Sequence, residues 1–310
     1  MAGVSVIKIK QSDDGIRLNR WFLREYPSLS LGRLQKLLRT KQIKVDGKKA
    51  ETSTRLAAGQ ELRIPPLDEQ KAPKKENFVS KSDEKMMQSM VVYKDENIIV
   101  INKPSGLAVQ GGTNQKRHID GLLDALKFGN EERPRLTHRI DKETSGLLVL
   151  ARNRKYALAL TKAFKEHNLP KTYLALCVGR PKKDEGVIKA SLEKIGEKMM
   201  VVEDGQKAVT EYKVLDYVGD KFSLIEASPL TGRTHQIRVH LAHIGTPILG
   251  DGKYALRDNF KASELSSKLH LHSLKIDLSC LMNKKCVVKA PIPDYFKKDI
   301  EFLGLNFKEK

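Results

Sequence analysis

The sequence predicts an α+β protein in two parts, a small and strongly basic α/β block followed by a larger domain built on a mixed sheet. Three observations carry that expectation. Residues 15–65 combine apolar residues at helical spacing with a hairpin signal. A charged, proline-bearing stretch poor in aliphatic residues follows over 66–89. Beyond it, through 90–310, strand-like runs recur with helical patterns interspersed. A chain of 310 residues with 40% hydrophobic residues is long enough to bury two cores.

In the first block Leu18, Trp21, Phe22 and Tyr26 fall on one face of a helix. Ser30 suits the N-cap of a second helix, whose apolar stripe is Leu31, Leu34, Leu37 and Leu38. Residues 42–45 read as a strand, and Asp46-Gly47 is a hairpin turn signal. After a turn at Ala58-Gly59, Leu62 and Ile64 share a face of a last strand. The stretch 66–89 packs no core of its own and reads as a linker. In the second domain, strands are expected at 90–93, 98–102, 147–151, 172–178, 209–215 and 222–227, and helices at 121–128 and 155–166.

The net charge is +19, from 57 Lys/Arg against 38 Asp/Glu, which favours a polyanionic partner, with nucleic acid ahead of an anionic membrane. Residues 15–64 alone hold 12 Lys/Arg and 4 Asp/Glu. Arg33, Lys36, Arg39 and Lys41 concentrate on one short helix and its exit, as a patch that binds a nucleic-acid backbone would. This block resembles the S4-type RNA-binding domains, in which two helices and a small sheet grip structured RNA. Three cysteines without a Cys-x-x-Cys exclude a disulfide framework or a cysteine-rich zinc site. No apolar run suits a membrane span or a secretory leader, so a soluble, cytoplasmic protein is expected.

The most informative stretch is His138-Arg139-Ile140-Asp141-Lys142-Glu143-Thr144-Ser145-Gly146, a polar turn that feeds into the buried-strand run Leu147-Leu148-Val149-Leu150. Spacing alone leaves Asp141 open between a reactive carboxylate and a surface salt bridge. The segment resembles the H-R-L-D-x-x-T-S-G signature of the RNA pseudouridine synthases. Three more segments fit that family in order: Asn102-Lys103-Pro104-Ser105-Gly106, then Lys171-Thr172-Tyr173-Leu174-Ala175, then the run from Thr231 through Gly232-Arg233-Thr234-His235-Gln236-Ile237-Arg238 to Leu241. The one departure is isoleucine for leucine at position 140. The S4-like block, the stretch 108–112 and the run 63–66 point to the branch that modifies large-subunit ribosomal RNA; transfer RNA is the alternative within the family.

The resemblance implies a mixed, largely antiparallel sheet of the pseudouridine synthase type. It implies Asp141, Tyr173 and Arg238 as catalytic residues, and substrate contacts from Arg139, Arg233, His235 and Gln236. Asp141 acts on the sugar or base as nucleophile, or as a base toward a ribose proton; the sequence leaves these open. A carboxylate in a pocket that excludes water tends to lose its charge unless a cation stands by, and the resemblance assigns that place to Arg238. A phosphate contact is the other use its basic surroundings allow. Tyr173 would serve equally as core filler on its strand; in the family it stacks on the uracil. Arg139 would fill the space a flipped base vacates, since its planar guanidinium stacks as lysine cannot.

Isomerisation needs no oxidant and no energy source, so no cofactor is expected. His235, His240 and His243 lack the i, i+4 spacing and the carboxylate company of a zinc site, so no metal is expected and hydrogen-bonded histidines are. Asp251, between two glycines, reads as a turn residue. Lys289-Ala290-Pro291 resembles a late family element that shapes the pocket. A non-catalytic RNA-binding or ribosome-assembly protein would not need Asp141, Tyr173 and Arg238 together, and a base glycosylase would need a second carboxylate to activate water. The expectation is a monomer that needs neither a membrane nor an obligate protein partner.

Overall fold

The computed structural model describes residues 4–67, 79–111, 117–255, 264–282 and 284–307, and the chain divides into two units, Met1–Phe78 and Val79–Lys310. In the first, β1 (Ser5–Lys8), α1 (Leu18–Glu25), α2 (Leu31–Arg39), β2 (Lys44–Val45), β3 (Lys48–Lys49) and β4 (Glu61–Ile64) make two helices and a sheet of order β1-β4-β2-β3. Ser30 caps α2, its hydroxyl accepting from the Arg33 N–H at 3.2 Å. Asp46 and Gly47 both have positive φ, 47° and 74°, the geometry of the tight β2–β3 turn. Leu18, Trp21, Phe22, Leu34, Leu38, Leu62 and Ile64 meet in one core, which leaves Arg33, Lys36, Arg39 and Lys41 exposed.

Three boundaries differ from the sequence reading. The first unit begins before residue 15, because β1 pairs along its length with β4. Three of its four residues are exposed, so no buried-face alternation marks it. The expected strand at 42–45 shortens to Lys44–Val45, because the N–H groups of Gln42 and Ile43 turn back to the Leu37 carbonyl at the end of α2. The expected linker 66–89 loses its last part to α3 (Lys81–Ser89), capped by the Ser80 hydroxyl and docked through the buried Met87. Two methionines, Met86 and Met87, in a charged run are a faint signal for a packed helix. Residues 68–78 of that linker, and Gly112 of the stretch 108–112, lie outside the described residues.

The second unit continues through β5 (Val91–Lys94), β6 (Ile98–Lys103), α4 (Ile119–Leu122) with a 3₁₀ turn after it, β7 (Arg135–Leu136), β8 (Ser145–Ala151), α5 (Arg154–Lys165) and β9 (Lys171–Val178). Next come β10 (Glu185–Lys189), β11 (Leu192–Ile195), β12 (Lys198–Val201), β13 (Val209–Val218), β14 (Phe222–Pro229) and α6 (Gln236–His243). The last elements are β15 (Leu271–Asp277), α7 (Ser279–Met282), β16 (Val287–Lys289) and α8 (Asp294–Phe302). The main sheet runs β10-β13-β14-β9-β15-β8-β6-β5, with β16 beside β15, β7 beside β8, and β11–β12 as a separate hairpin. Every pairing in it is antiparallel except β15 with β8. The expected mixed, largely antiparallel sheet is therefore present.

Alternate residues of a strand face opposite sides, and here both sides are covered. Ile98, Val100, Leu147 and Val149 pack with α5, while Ile99, Ile101, Leu148 and Leu150 pack with α3 and the α4 segment. Tyr173, Ala175 and Ile225 likewise face α6, and Leu174, Leu176 and Leu224 face α8. This explains the continuous apolar runs of β6 and β8. The helix expected at 121–128 starts earlier, at Ile119, because the His118 ring accepts the Gly121 N–H at 3.0 Å and caps it.

The parallel join of β8 and β15 brings the turn at Ser145-Gly146 hard against its neighbour. Gly146 has φ 104°, and a Cβ there would collide with the Ser273 backbone. Ser145 lies opposite His272, its hydroxyl 2.9 Å from Nδ1, and burial pushes that imidazole down to about 4. The folded chain thus holds His272 neutral where an unfolded histidine takes up a proton. Stability from this site is complete above about pH 6.5 and falls as the pH drops toward 4, by about 2 kcal/mol at pH 5. Thermal melts at pH 7 and pH 5 should show that loss in the wild type and a smaller one in His272→Gln.

Candidate active site

Asp141 sits in the loop between β7 and β8, and that loop is pinned from several directions. The Thr137 hydroxyl donates to the Val149 carbonyl at 2.9 Å, and the His138 Nε2 accepts the Val149 N–H at 2.9 Å. The His138 ring stacks on Phe164 of α5 at 4.0 Å. On the far side of Asp141 the Lys142 carbonyl accepts from the Gly106 N–H at 2.9 Å, and the Glu143 carbonyl from the Ser105 hydroxyl at 2.7 Å. The Asn-Lys-Pro-Ser-Gly element is therefore a clamp on the loop that carries Asp141.

Lys103 closes the clamp. Its side chain is fully buried, and Nζ donates to the carbonyls of Pro104, Leu107 and Lys142, each at 2.9 Å. Burial pushes its pKa down to about 7, against the pull of Glu143 and Asp141. A neutral amine has two N–H groups and would leave one of three carbonyls without a donor. The ammonium is the form this nest of oxygens fits.

Arg238 stands in the first turns of α6, 7% exposed, and it uses its guanidinium in two directions. Nε and Nη2 form a two-pronged pair with Asp251, at 2.8 and 2.7 Å, while Nη1 reaches Asp141 Oδ2 at 3.3 Å. Asp251 is fully buried and also accepts the N–H groups of Lys253 and Tyr254 at 3.0 and 3.2 Å. The expected Arg238–Asp141 pair is present, but it is the weaker half of a triad. Asp251 is no mere turn residue; its flanking glycines hid a buried carboxylate that aims Arg238.

Tyr173 on β9 faces the same cavity, 9% exposed. Burial, with the Asp141 charge adding to it, pushes its phenol up to about 12. His235 precedes α6 with φ 54°, and its Nε2 lies 3.9 Å from Asp141 Oδ2. The Tyr254 hydroxyl accepts the Met199 N–H at 3.1 Å and meets His235 Nδ1 at 2.6 Å. Burial lowers the His235 pKa, with Asp141 opposing.

Asp141, Tyr173, His235 and Arg238 line a cavity of about 300 Å³ with Ile140, Thr144, Phe164, Lys171, Pro229, Thr231 and Leu271. Arg139 and Arg233, both exposed, line it and also a neighbouring cleft of about 780 Å³ that runs beside the β11–β12 hairpin. Gln236, expected as a substrate contact, lines the cavity too, with its amide turned to the protein. Its carbonyl accepts from Thr231 and Arg233, and its amide donates to Val209 and Thr210, so its hydrogen-bonding capacity is spent within the protein. It shapes the Thr231-Gly232-Arg233 turn. His240 is likewise structural, bonded to Thr210 and the Ala190 carbonyl. Lys289, Ala290 and Pro291 do not line the cavity; the Pro291 carbonyl accepts from Asn102.

A model of the RNA pseudouridylate synthase family matches residues 97–243, which include Asp141, Tyr173 and Arg238. A ribosomal large subunit pseudouridine synthase C of Rickettsia bellii is 39% identical over 91% of this chain and 96% of its own length. The mitochondrial RNA pseudouridine synthase 4 of Arabidopsis thaliana is 38% identical over 87% of this chain and 72% of its own. The chain belongs to the RNA pseudouridine synthase family. Among solved structures, human RNA pseudouridylate synthase domain containing 4 superimposes with a TM-score of 0.62 at 30% identity, over 73% of this chain and 97% of that one. The chain is thus an RNA pseudouridine synthase, an isomerase whose fold and motifs agree.

Two outcomes follow from the clamp and the triad. Asp251→Asn should lower kcat about 100-fold, the order expected when a reacting group is displaced by about an ångström. It should also cost about 3 kcal/mol of stability, because it weakens a buried pair from one side. Single-turnover rates and denaturant melts on one preparation check both. Lys103→Met should cost about 3 kcal/mol or more in the same melts, since it strands three buried carbonyls.

Proposed function

We propose that this synthase converts specific uridines of large-subunit ribosomal RNA to pseudouridine on a base turned out of its stack. The observation that carries the reading is a carboxylate, Asp141, held at one end by Arg238 and open to a cavity walled by Tyr173. Support for the RNA class comes from the relatives, which include ribosomal large subunit synthases of several Rickettsia species. A net charge of +19 and the basic face of the first unit agree with a large folded RNA as substrate. No helix of the described residues is long and apolar enough to cross a membrane. The reading carries with it a monomer at work in the cytoplasm, where such RNA is assembled.

In this reading the uracil stacks against the Tyr173 ring, whose phenol stays neutral across the working range because burial holds its pKa near 12. The N1–C1′ bond breaks, the base turns, and C5 joins C1′; the C5 proton leaves and N1 gains one. Asp141 supplies the carboxylate on which the cleavage depends. Arg139, exposed at the cavity mouth, fills the gap left in the RNA stack. The first unit holds backbone phosphates through Arg33, Lys36, Arg39 and Lys41 in the manner of an S4 domain.

Pseudouridine mapping across all RNA tests the reading in cells with the gene, without it, and with Asp141→Ala. Large-subunit sites should vanish in the deletion and stay absent with Asp141→Ala; loss confined to transfer RNA would move the substrate assignment. Arg139→Lys should slow conversion of folded RNA by about tenfold or more while the melting temperature holds, if stacking is its task. Alanine at Arg33, Lys36, Arg39 and Lys41 together should weaken RNA binding and flatten its dependence on log salt by about 3, close to one for each phosphate left unneutralised.

A further inference from the structure

Lys171 is the first residue of β9, and it turns its ammonium to the wall of the Asp141 cavity. Among the described residues it has no carboxylate partner and no hydrogen bond; its one contact is the Phe164 ring, 5.7 Å from Nζ. Burial lowers its pKa, and no neighbouring charge opposes that push. A half-buried cation without an anion is a costly arrangement for a folded chain. Two other buried cations of this unit are matched, Arg238 by two carboxylates and Lys103 by three carbonyls.

A second cation shares the wall. Arg233 lines the same cavity and is exposed, with Nε on the Lys207 carbonyl at 3.3 Å and its terminal nitrogens unengaged by any described residue. Lys171 and Arg233 line this one cavity together with Phe164 and Thr231. Among the described residues no ion pair joins Lys171 to Asp141, whose carboxylate is held by Arg238 instead. The spot is electropositive, apolar on one side where Phe164 stacks on His138, and reached from the mouth where a nucleotide enters.

We propose that Lys171 and Arg233 together bind one phosphodiester of the RNA, the one directly adjoining the target uridine. The anion missing from the folded protein is then brought by the substrate, so the charge is matched only when a nucleotide is seated. Lys171 supplies a point charge inside the wall and Arg233 a planar fork at the rim, a combination that suits a non-bridging oxygen pair. The site rests on the reading of this chain as a ribosomal RNA synthase with its uridine bound beside Asp141. It adds a fixed handle on the backbone that sets how deeply the base enters.

The test uses the full chain and a large-subunit RNA fragment carrying the candidate uridine, made with either an ordinary phosphate or an uncharged methylphosphonate just 5′ or just 3′ of it. Binding and single-turnover conversion are measured for wild type, Lys171→Ala and Lys171→Arg. In the wild type one of the two methylphosphonates should weaken binding about tenfold, the scale of one charge-assisted hydrogen bond. The same replacement should cost Lys171→Ala less than about twofold, and Lys171→Arg should keep most of the wild-type sensitivity. The salt dependence of binding should drop by about one unit of slope in Lys171→Ala. If the wild type converts the uridine but both variants feel each methylphosphonate as it does, the phosphate site is overturned and the substrate reading stands. A wild type inert on every large-subunit fragment overturns both.

Discussion

The active end of this protein depends on one guanidinium that answers to two carboxylates. Arg238 gives its better geometry to Asp251, which is out of solvent, and its remaining nitrogen to Asp141, which is not. The order of these bonds matters. A pair closed in two prongs at 2.7 and 2.8 Å fixes the plane of the guanidinium, and the third nitrogen then points where the helix and its anchor send it. Asp141 is met by a cation whose direction is set without it. The site is preorganised from the far side, so that little needs to move when substrate arrives.

Such an arrangement does not maximise stability. Burying Arg238 and Asp251 strips water from two charges, and a well-packed apolar pair in their place would serve the fold as well or better. What the charges supply is direction. Lys103 ties the backbone on both sides of one loop, and the Ser105 and Gly106 contacts finish the clamp. The loop with Asp141, between β7 and β8, is irregular chain held to the tolerance of a strand. Gly146 serves the same close packing, since only a residue without a Cβ lets β8 press so near to Ser273.

Much of this could be read from the amino acids. The apolar runs at 98–102 and 147–151 are sheet interior because both faces are covered, and they read so without ambiguity. Ser30 and Asp46-Gly47 announce a cap and a turn through local chemistry alone, and local chemistry decides both. The misses share a cause. β15 carries His272 and Ser273 in a strand buried on both faces, and polar residues that find partners only across the sheet look like loop. Asp251 was hidden for the same reason: its partner lies thirteen positions back on a helix, and glycines on either side suggested a surface turn. Gln236 is a motif residue of another kind, which lines the cavity while its amide bonds to the Thr231–Arg233 turn and to β13. A motif marks residues that a fold needs near its site, without separating those that touch substrate from those that hold the others.

The two oxygens of Asp141 are not equivalent, and the difference bears on how a tethered carboxylate can still react. Arg238 and His235 both approach Oδ2, at 3.3 and 3.9 Å. Oδ1 accepts no hydrogen bond from the described residues and belongs to a side chain 22% exposed, in the cavity with Tyr173. A two-pronged pair like that of Asp251 would have occupied both oxygens and left a structural salt bridge. Single-oxygen tethering fixes the carboxylate in place and keeps a lone-pair face for the sugar or base. The fold achieves this by giving Arg238 a better partner elsewhere, so that its hold on Asp141 is firm in direction and slack in strength. Under the proposed function, Asp251 is in this sense what lets Asp141 be a reactive group at all.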